Sequence, residues 1–293
     1  MMFINSQKSL WMMGFLLLGL IPSSFAQTYL KGTYVRNEVD FEDTDLVIYN
    51  FSRRKGAQGK VKAKYFAKEA NQQFDDWRNG KRILFYCSGA FSESWDTDSP
   101  PLGICVDNGR IVNRNLDQDM DGLIIVYNGG AQEGGIAVVN IDKEKVRVNQ
   151  GGQAEYDLRN SDDRFRFLRW ASSQSATVFQ TQLMYTRSYG FGFSPNMMTY
   201  GNRAERRFLA ICKKGGVVYH IVIDYPESDY LNRSADRVVR YLKESLGYEI
   251  FGLFNLDTGG KNIMRAYDGE GRELARGPKD SHEATNLLVY YVD

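Results

Sequence analysis

The chain has 293 residues, 43% hydrophobic and 13% aromatic, with 37 basic and 36 acidic side chains and a formal net charge of +1. That is apolar material enough for one large domain with a substantial core, and too balanced a charge to point to a nucleic-acid or membrane-surface partner. The three cysteines, Cys87, Cys105 and Cys212, each sit in an apolar strand-like run. They read as buried free thiols, with one bridge left open, and no Cys/His spacing resembles a zinc site.

Residues 1–26 read as a secretory signal peptide. Lys8 is the one charge before an apolar run, 10–21, and Ser24-Phe25-Ala26 is a small-x-small cleavage pattern before Gln27. The apolar run is too short to span a bilayer. The expectation is an exported, periplasmic or secreted chain with no membrane insertion after cleavage, folded as one domain over 27–293.

Residues 27–45 carry few periodic signals. A strand is predicted at 46–51 and a helix at 65–78, where Tyr65, Phe66, Ala70, Phe74 and Trp77 can share a face. Strand 82–86 runs into Cys87-Ser88-Gly89-Ala90-Phe91. Asn108-Gly109 joins two short strands as a hairpin. Strands follow at 123–127 and 136–141, with a short edge strand at 145–148. Ser161-Asp162-Asp163 opens a helix. Strand 177–186 leads into an irregular aromatic, glycine-rich loop at 188–201, a candidate lid. A hairpin turns at Lys213-Lys214-Gly215-Gly216. Ser234 is read as the cap of a helix running to Leu246. Asp268 to Gly271 is a further turn, and Leu287–Val292 is the last strand. The pattern predicts an α+β fold: mixed β-sheet layers with about three long helices.

The chain is organised around the stretch Leu246 to Met264. Gly247 suits the position just past a helix end. Residues 250–256 form an apolar run without strict alternation, so both faces should be covered. A crest follows: Asp257-Thr258-Gly259-Gly260-Lys261-Asn262, a carboxylate, two glycines and a cation at a strand exit. An ordinary turn with solvated charges is the plain alternative.

Other chemistry-bearing signals are weaker. The chain has neither a G-x-S-x-G elbow nor a P-loop. His220 lies inside an apolar run and reads as a core histidine. Asp117, Asp119 and Asp121 match the first half of a calcium loop, so Ca²⁺ is considered. Asn128 at the twelfth position cannot supply the bidentate carboxylate, which makes an acidic turn the stronger reading. Arg206 and Arg207 open a strand, and a guanidinium suits phosphate. Gln180 either orients a ligand or is a buried, hydrogen-bonded glutamine.

In order and wording these motifs resemble the phosphodiester glycosidase family, whose best-known type is the phosphodiester alpha-N-acetylglucosaminidase, or uncovering enzyme. The likeness runs from about Arg82 to the crest. It rests on Cys87-Ser88-Gly89-Ala90-Phe91, Pro101-Leu102-Gly103-Ile104, Phe179-Gln180-Thr181-Gln182-Leu183-Met184, the strand from Arg206, and Asn255-Leu256-Asp257-Thr258-Gly259-Gly260-Lys261. The resemblance implies an exported hydrolase of sugar 1-phosphodiesters or related glycan linkages, with a sugar phosphate or glycan as substrate and no firmly implied cofactor. It gives Arg206 the phosphate and Asp257 the anomeric carbon, as base or nucleophile. Gln180 and Asn255 would orient the substrate, with Ser88, Gly259, Gly260 and Lys261 completing the site. Cys87, Thr258 and Lys261 depart from the family motifs. A non-catalytic carbohydrate-binding envelope protein on the same fold is the alternative.

Overall fold

The computed structural model describes residues 25–30, 33–55, 59–94, 96–149, 153–192, 201–260 and 262–293. The expected leader ahead of residue 25, positions 193–200 of the aromatic loop, and Lys261 lie outside them. Phe25 and Ala26, assigned to the leader from sequence, begin the strand Phe25–Leu30.

Two antiparallel sheets face each other. The main path of the larger runs Phe25–Leu30, Tyr34–Asp40, Asp45–Ser52, Val217–Asp229, Ala204–Lys214, Glu249–Leu256, Thr177–Thr186, Cys105–Asp107 and Arg110–Asn113, with Gly122–Val126 and Ile136–Asn140 as a side wing. The smaller is ordered Glu273–Arg276, Met264–Tyr267, Arg82–Cys87, Leu287–Val292 and Lys62–Phe66. Tyr49, Phe51, Phe85, Leu209, Phe254 and Tyr290 fill the space between them. Helix Leu231–Arg240 covers the far face of the large sheet, and helix Ser161–Ser173 covers its wing. Helix Ala70–Trp77 covers the outer face of the smaller sheet.

The strand Glu249–Leu256 shows why its sequence lacks alternation. Phe254 and Leu256 enter the inter-sheet core, while Ile250 and Leu253 pack under helix Leu231–Arg240. Burial on both faces selects apolar side chains at successive positions. Gly247, at φ 65°, takes the left-handed conformation expected just before the strand. Asn108 and Gly109, at φ 47° and 83°, form the predicted hairpin turn.

Four expectations are corrected. Every strand ladder among the described residues is antiparallel, so the sheets are not mixed, and the one parallel pairing is an isolated bridge, Ile263 to Lys279. Among the described residues the three α-helices are short, at 8, 13 and 10 residues, the last continued by a π-helical turn, Tyr241–Ser245, and the fold is dominated by strands. The predicted helix at 65–78 is a strand, Lys62–Phe66, then helix Ala70–Trp77; Glu69 at φ 50° breaks the two apart. Ser234 is not a cap: the helix begins at Leu231, and the Ser234 hydroxyl donates back to the carbonyls of Tyr230 and Leu231. Strand Tyr34–Asp40, in a stretch read as featureless, was hidden because only Tyr34 and Val39 are buried on it.

Candidate functional site

The crest forms where the strand Glu249–Leu256 leaves the large sheet and its chain crosses to the smaller one. Asp257 marks the crossing. Its backbone N–H donates to the Gly89 carbonyl at 3.0 Å, at the end of strand Arg82–Cys87. Its Oδ1 accepts from the Gly259 N–H at 2.9 Å, and the residue is 8% exposed. Gly89 is required by close approach, since a Cβ there would stand 2.8 Å from the Tyr65 ring. Burial pushes the Tyr65 hydroxyl well above its ordinary pKa, and the nearby Asp257 adds to that.

Buried side chains hold both edges of the crossing. Asn286 accepts from the N–H groups of Gly89 and Ala90 at 3.0 and 2.9 Å, and donates to the Ala90 carbonyl at 2.9 Å. Ser88, also buried, donates its N–H to Ile263 at 3.1 Å. Arg207 lies between the sheets, 3% exposed. Its Nε meets Asp224 at 2.5 Å, its Nη1 the Ile263 carbonyl at 3.1 Å, and its Nη2 the Asn262 Oδ1 at 3.1 Å. Burial opposes the charge on Arg207, but the Asp224 carboxylate outweighs it and holds the pKa above its ordinary value. The thiol of Cys87 close by is pushed up to about 12 by burial, so it is a packing group, not a thiolate. Cys87, Cys105 and Cys212 are all free and buried, as their apolar surroundings predict.

Arg206 points the other way. Its strand alternates: Arg207, Leu209 and Ile211 face the smaller sheet, while Phe208, Ala210 and Cys212 face helix Leu231–Arg240. The Arg206 guanidinium therefore lies near Gly201 and Leu231, donating to the Asn202 carbonyl. It is half-buried, its Nε is without a partner, and no carboxylate is ion-paired to it among the described residues. Burial alone lowers its pKa.

Register relates this guanidinium to Asp257. Arg207 pairs with Leu256 and Phe208 with Asn255. The ladder ends at the Arg207–Leu256 pair, and one step further along each strand lie Arg206 and Asp257. A further step on, Thr258 Oγ1 still donates to the Glu205 carbonyl at 3.0 Å. Arg206 and Asp257 are thus bracketed on both sides by cross-strand contacts, yet no ion pair joins them.

Of the residues expected in the site, Ser88, Asp257, Gly259 and Gly260 come together at the crest, with Asn255 two residues back on the strand. Asn255 donates to Gln182 Oε1 at 2.8 Å, and its own Oδ1 is buried without a partner. Gln180 is corrected. Its Oε1 accepts from the N–H groups of Ile104 and Asp117 at 3.0 and 3.1 Å, and its Nε2 donates to the carbonyls of Asp117 and Met120 at 2.8 and 2.5 Å. Both amide atoms are used on backbone, so Gln180 fastens the 104 and 117–120 segments and orients no ligand.

The acidic turn is built the same way. Asp117 Oδ1 accepts from the Asp119 N–H and Asp121 Oδ1 from the Leu183 N–H, and no group of three metal-ligating side chains gathers among the described residues. His220 is a core histidine, packed edge-on against Tyr290 with ring centroids 5.8 Å apart. No helix among the described residues is long and apolar enough to cross a membrane.

Sequence reasoning named Arg207 beside Arg206 and Asn262 at the end of the crest without seeing that the two bond each other, and it missed Asn286. For Arg207 the signal was present: it shares alternation parity with Leu209 and Ile211, the pair that enters the inter-sheet core. Asn286 carried none beyond its place before the last apolar strand.

No protein-family model matches the chain, and no curated protein matches it by sequence. Among solved structures, a hypothetical protein from Synechocystis is similar at 13% identity and a TM-score of 0.49, over 93% of this chain and 64% of that one. The catalytic domain of zebrafish N-acetylglucosamine-1-phosphodiester alpha-N-acetylglucosaminidase, auto-inhibited by its pro-peptide, is similar at 9% identity and a TM-score of 0.46, over 92% of this chain and 87% of that one. A candidate exported protein from Burkholderia pseudomallei follows at 9% identity and 0.44, over 87% and 74%.

Proposed function

We propose that this chain is an exported hydrolase of the phosphodiester glycosidase type, cleaving a sugar 1-phosphodiester or a related glycan linkage at the crest. The observation that carries the reading is the strand register around Arg206 and Asp257. A half-buried guanidinium without a carboxylate partner and a buried carboxylate lie one step beyond the Arg207–Leu256 pair, on adjacent strand ends.

That arrangement suits an anionic sugar ester. Arg206 offers a charged donor fork for phosphate, whose negative charge grows as the glycosidic bond to it breaks. Asp257 stands at the anomeric carbon, as base toward water or as nucleophile. Its Oδ1 accepts from the Gly259 N–H, which restrains the carboxylate at the crest. Arg207 is a positioning residue: through Asn262 and Ile263 it sets where the crest lies. The exposed Gly259 completes the rim of the proposed site.

One observation favours the second reading, a glycan-binding protein without turnover. The Asp257 carboxylate already serves the crest turn through Gly259, a structural duty that would persist without catalysis. Asp257→Asn separates the two, because the amide keeps an oxygen acceptor for that N–H and removes only the charge. Purified protein is offered a panel of sugar 1-phosphodiesters, with and without chelator. The hydrolase reading expects turnover that falls about a thousandfold or more in Asp257→Asn, with binding retained. Binding without turnover in the parent establishes the second reading, and turnover unchanged by Asp257→Asn removes Asp257 from the chemistry.

A further inference from the structure

The outer face of the smaller sheet carries a cleft that the crest does not use. It has a volume of about 360 Å³ and lies between the C-terminal end of helix Ala70–Trp77 and the turn after Met264–Tyr267. The volume falls within the range of small-ligand sites and suits one or two pyranose rings.

Its floor is aromatic. Phe74 and Tyr86 lie with ring centroids 5.1 Å apart at 59°, and Tyr86 and Tyr267 at 6.2 Å and 41°. Tyr267 is half-buried in the lining. Its rim is cationic, built from Arg78, Lys81 and Arg82. Arg78 lies 5.4 Å over the Phe74 ring and meets Asp75 at 3.1 Å, and Lys81 meets Asp293 at 3.4 Å. Arg82 is exposed and has neither an ion pair nor a side-chain hydrogen bond among the described residues. Glu270 is the one carboxylate lining the cleft, and it pairs with Arg272 at 3.2 Å. The rim therefore keeps an excess of positive charge over an apolar floor.

We propose that this cleft is a second ligand site, for a saccharide bearing an anionic group, carboxylate or phosphate. The sugar ring packs on Tyr267 and its anion meets Arg82 and Lys81. The floor argues for a puckered ring over a planar one. Its aromatics are tilted against each other and make no flat platform of the kind on which nucleobases stack, whereas tilted rings present faces to C–H groups and Tyr267 adds a hydroxyl. Arg82 is the anchor because its charge is uncommitted. The assignment does not depend on catalysis at the crest. The two places are linked all the same: the strand Arg82–Cys87 starts at the cleft and ends beside Ser88, about 20 Å along at ~3.3 Å per residue.

The test is an NMR titration of the full chain with glucuronate, glucose 1-phosphate, glucose, inorganic phosphate and a short oligothymidylate. The proposal expects glucuronate and glucose 1-phosphate to shift resonances around Tyr267 and Arg82, with glucose and inorganic phosphate each at least about tenfold weaker. Arg82→Glu, a change at an exposed strand start, should weaken both acidic sugars at least about tenfold, as should Tyr267→Ala. Asp257→Asn should leave both unchanged at this cleft, so failure here and failure at the crest are read separately. Inorganic phosphate binding as well as glucose 1-phosphate makes this a plain anion site and overturns the saccharide. Glucose matching glucuronate, tighter oligothymidylate, or indifference to Arg82→Glu overturns it as well.

Discussion

The space between the two sheets changes character along its length. In its middle, Phe51 stacks on Tyr290 at 4.1 Å and on Tyr34 at 5.0 Å, and Tyr49 packs tilted at 43° against Phe85 with centroids 4.7 Å apart. At the crest end, on the strands Ala204–Lys214 and Val217–Asp229 and in the crest itself, Arg207, Asp224 and Asn262 take over. The aromatic part gains stability from buried area, which is weakly directional. The polar part gains little net stability, because both charges lose their water. What it supplies is position: Arg207 reaches Asp224 on one neighbouring strand and the crest at Asn262 and Ile263, so the crest cannot shift without breaking a charged hydrogen bond. One end of the layer holds the sheets together, and the other aims a loop.

The largest effect that would break this contrast is at Arg207. Arg207→Met keeps much of the apolar stem but strands Asp224, whose side chain is 14% exposed, without its cation. The expected loss is about 3–5 kcal/mol by urea denaturation near pH 7, and the Asp224→Leu, Arg207→Met double variant should recover part of it. A loss below about 1 kcal/mol would mean that the polar end is no more committed than a surface ion pair.

How much of this was legible follows from the same division. Apolar runs covered on both faces, such as 250–256, announce themselves as strands. The Asn108-Gly109 turn and Gly247 are visible because backbone geometry restricts which residues can stand there. The run 65–78 misled because Tyr65 and Phe66 fit a helical face as well as a strand, and nothing in a single window shows that Tyr65 stacks on Phe179, over a hundred residues away, at 4.1 Å. The crest glycines and Asp257 were visible as a motif. The partners that hold them, Asn286 and Arg207, come from distant strands. Two neighbouring arginines are alike in composition, and only strand parity tells which of them enters the core.

The middle of the layer can be probed through His220, which packs on Tyr290. Burial, with Arg53 and Lys60 adding to it, holds the His220 pKa well below its ordinary value. The sign follows. Above about pH 6.5, where an unfolded histidine is neutral, nothing is lost. Below it the unfolded chain takes up a proton that the folded chain refuses, so stability falls by up to about 1.4 kcal/mol per pH unit until the folded pKa is reached. Denaturation of the parent and of His220→Phe at pH 7 and pH 5 should show a shallower pH dependence in the variant. Equal slopes would place the acid sensitivity elsewhere.

The smallest stability effect sharpens the contrast most. Arg206 stands next to Arg207 but on the other face, half-buried, with a backbone carbonyl as its hydrogen-bond partner and its Nε without one. Its burial is a cost to the folded state that no carboxylate offsets. Arg206→Ala should therefore change stability by no more than about 0.5 kcal/mol, in either direction, against the several expected one position along. Under the proposed function the same change should weaken binding of a sugar 1-phosphodiester at least about tenfold, the range for a lost charged hydrogen bond. Urea denaturation and a ligand titration on one preparation give both numbers. A loss of several kcal/mol would mean that the guanidinium braces helix Leu231–Arg240, whereas unchanged binding with unchanged stability would leave the crest without its cation and remove the electrostatic basis for assigning phosphodiester chemistry to Asp257.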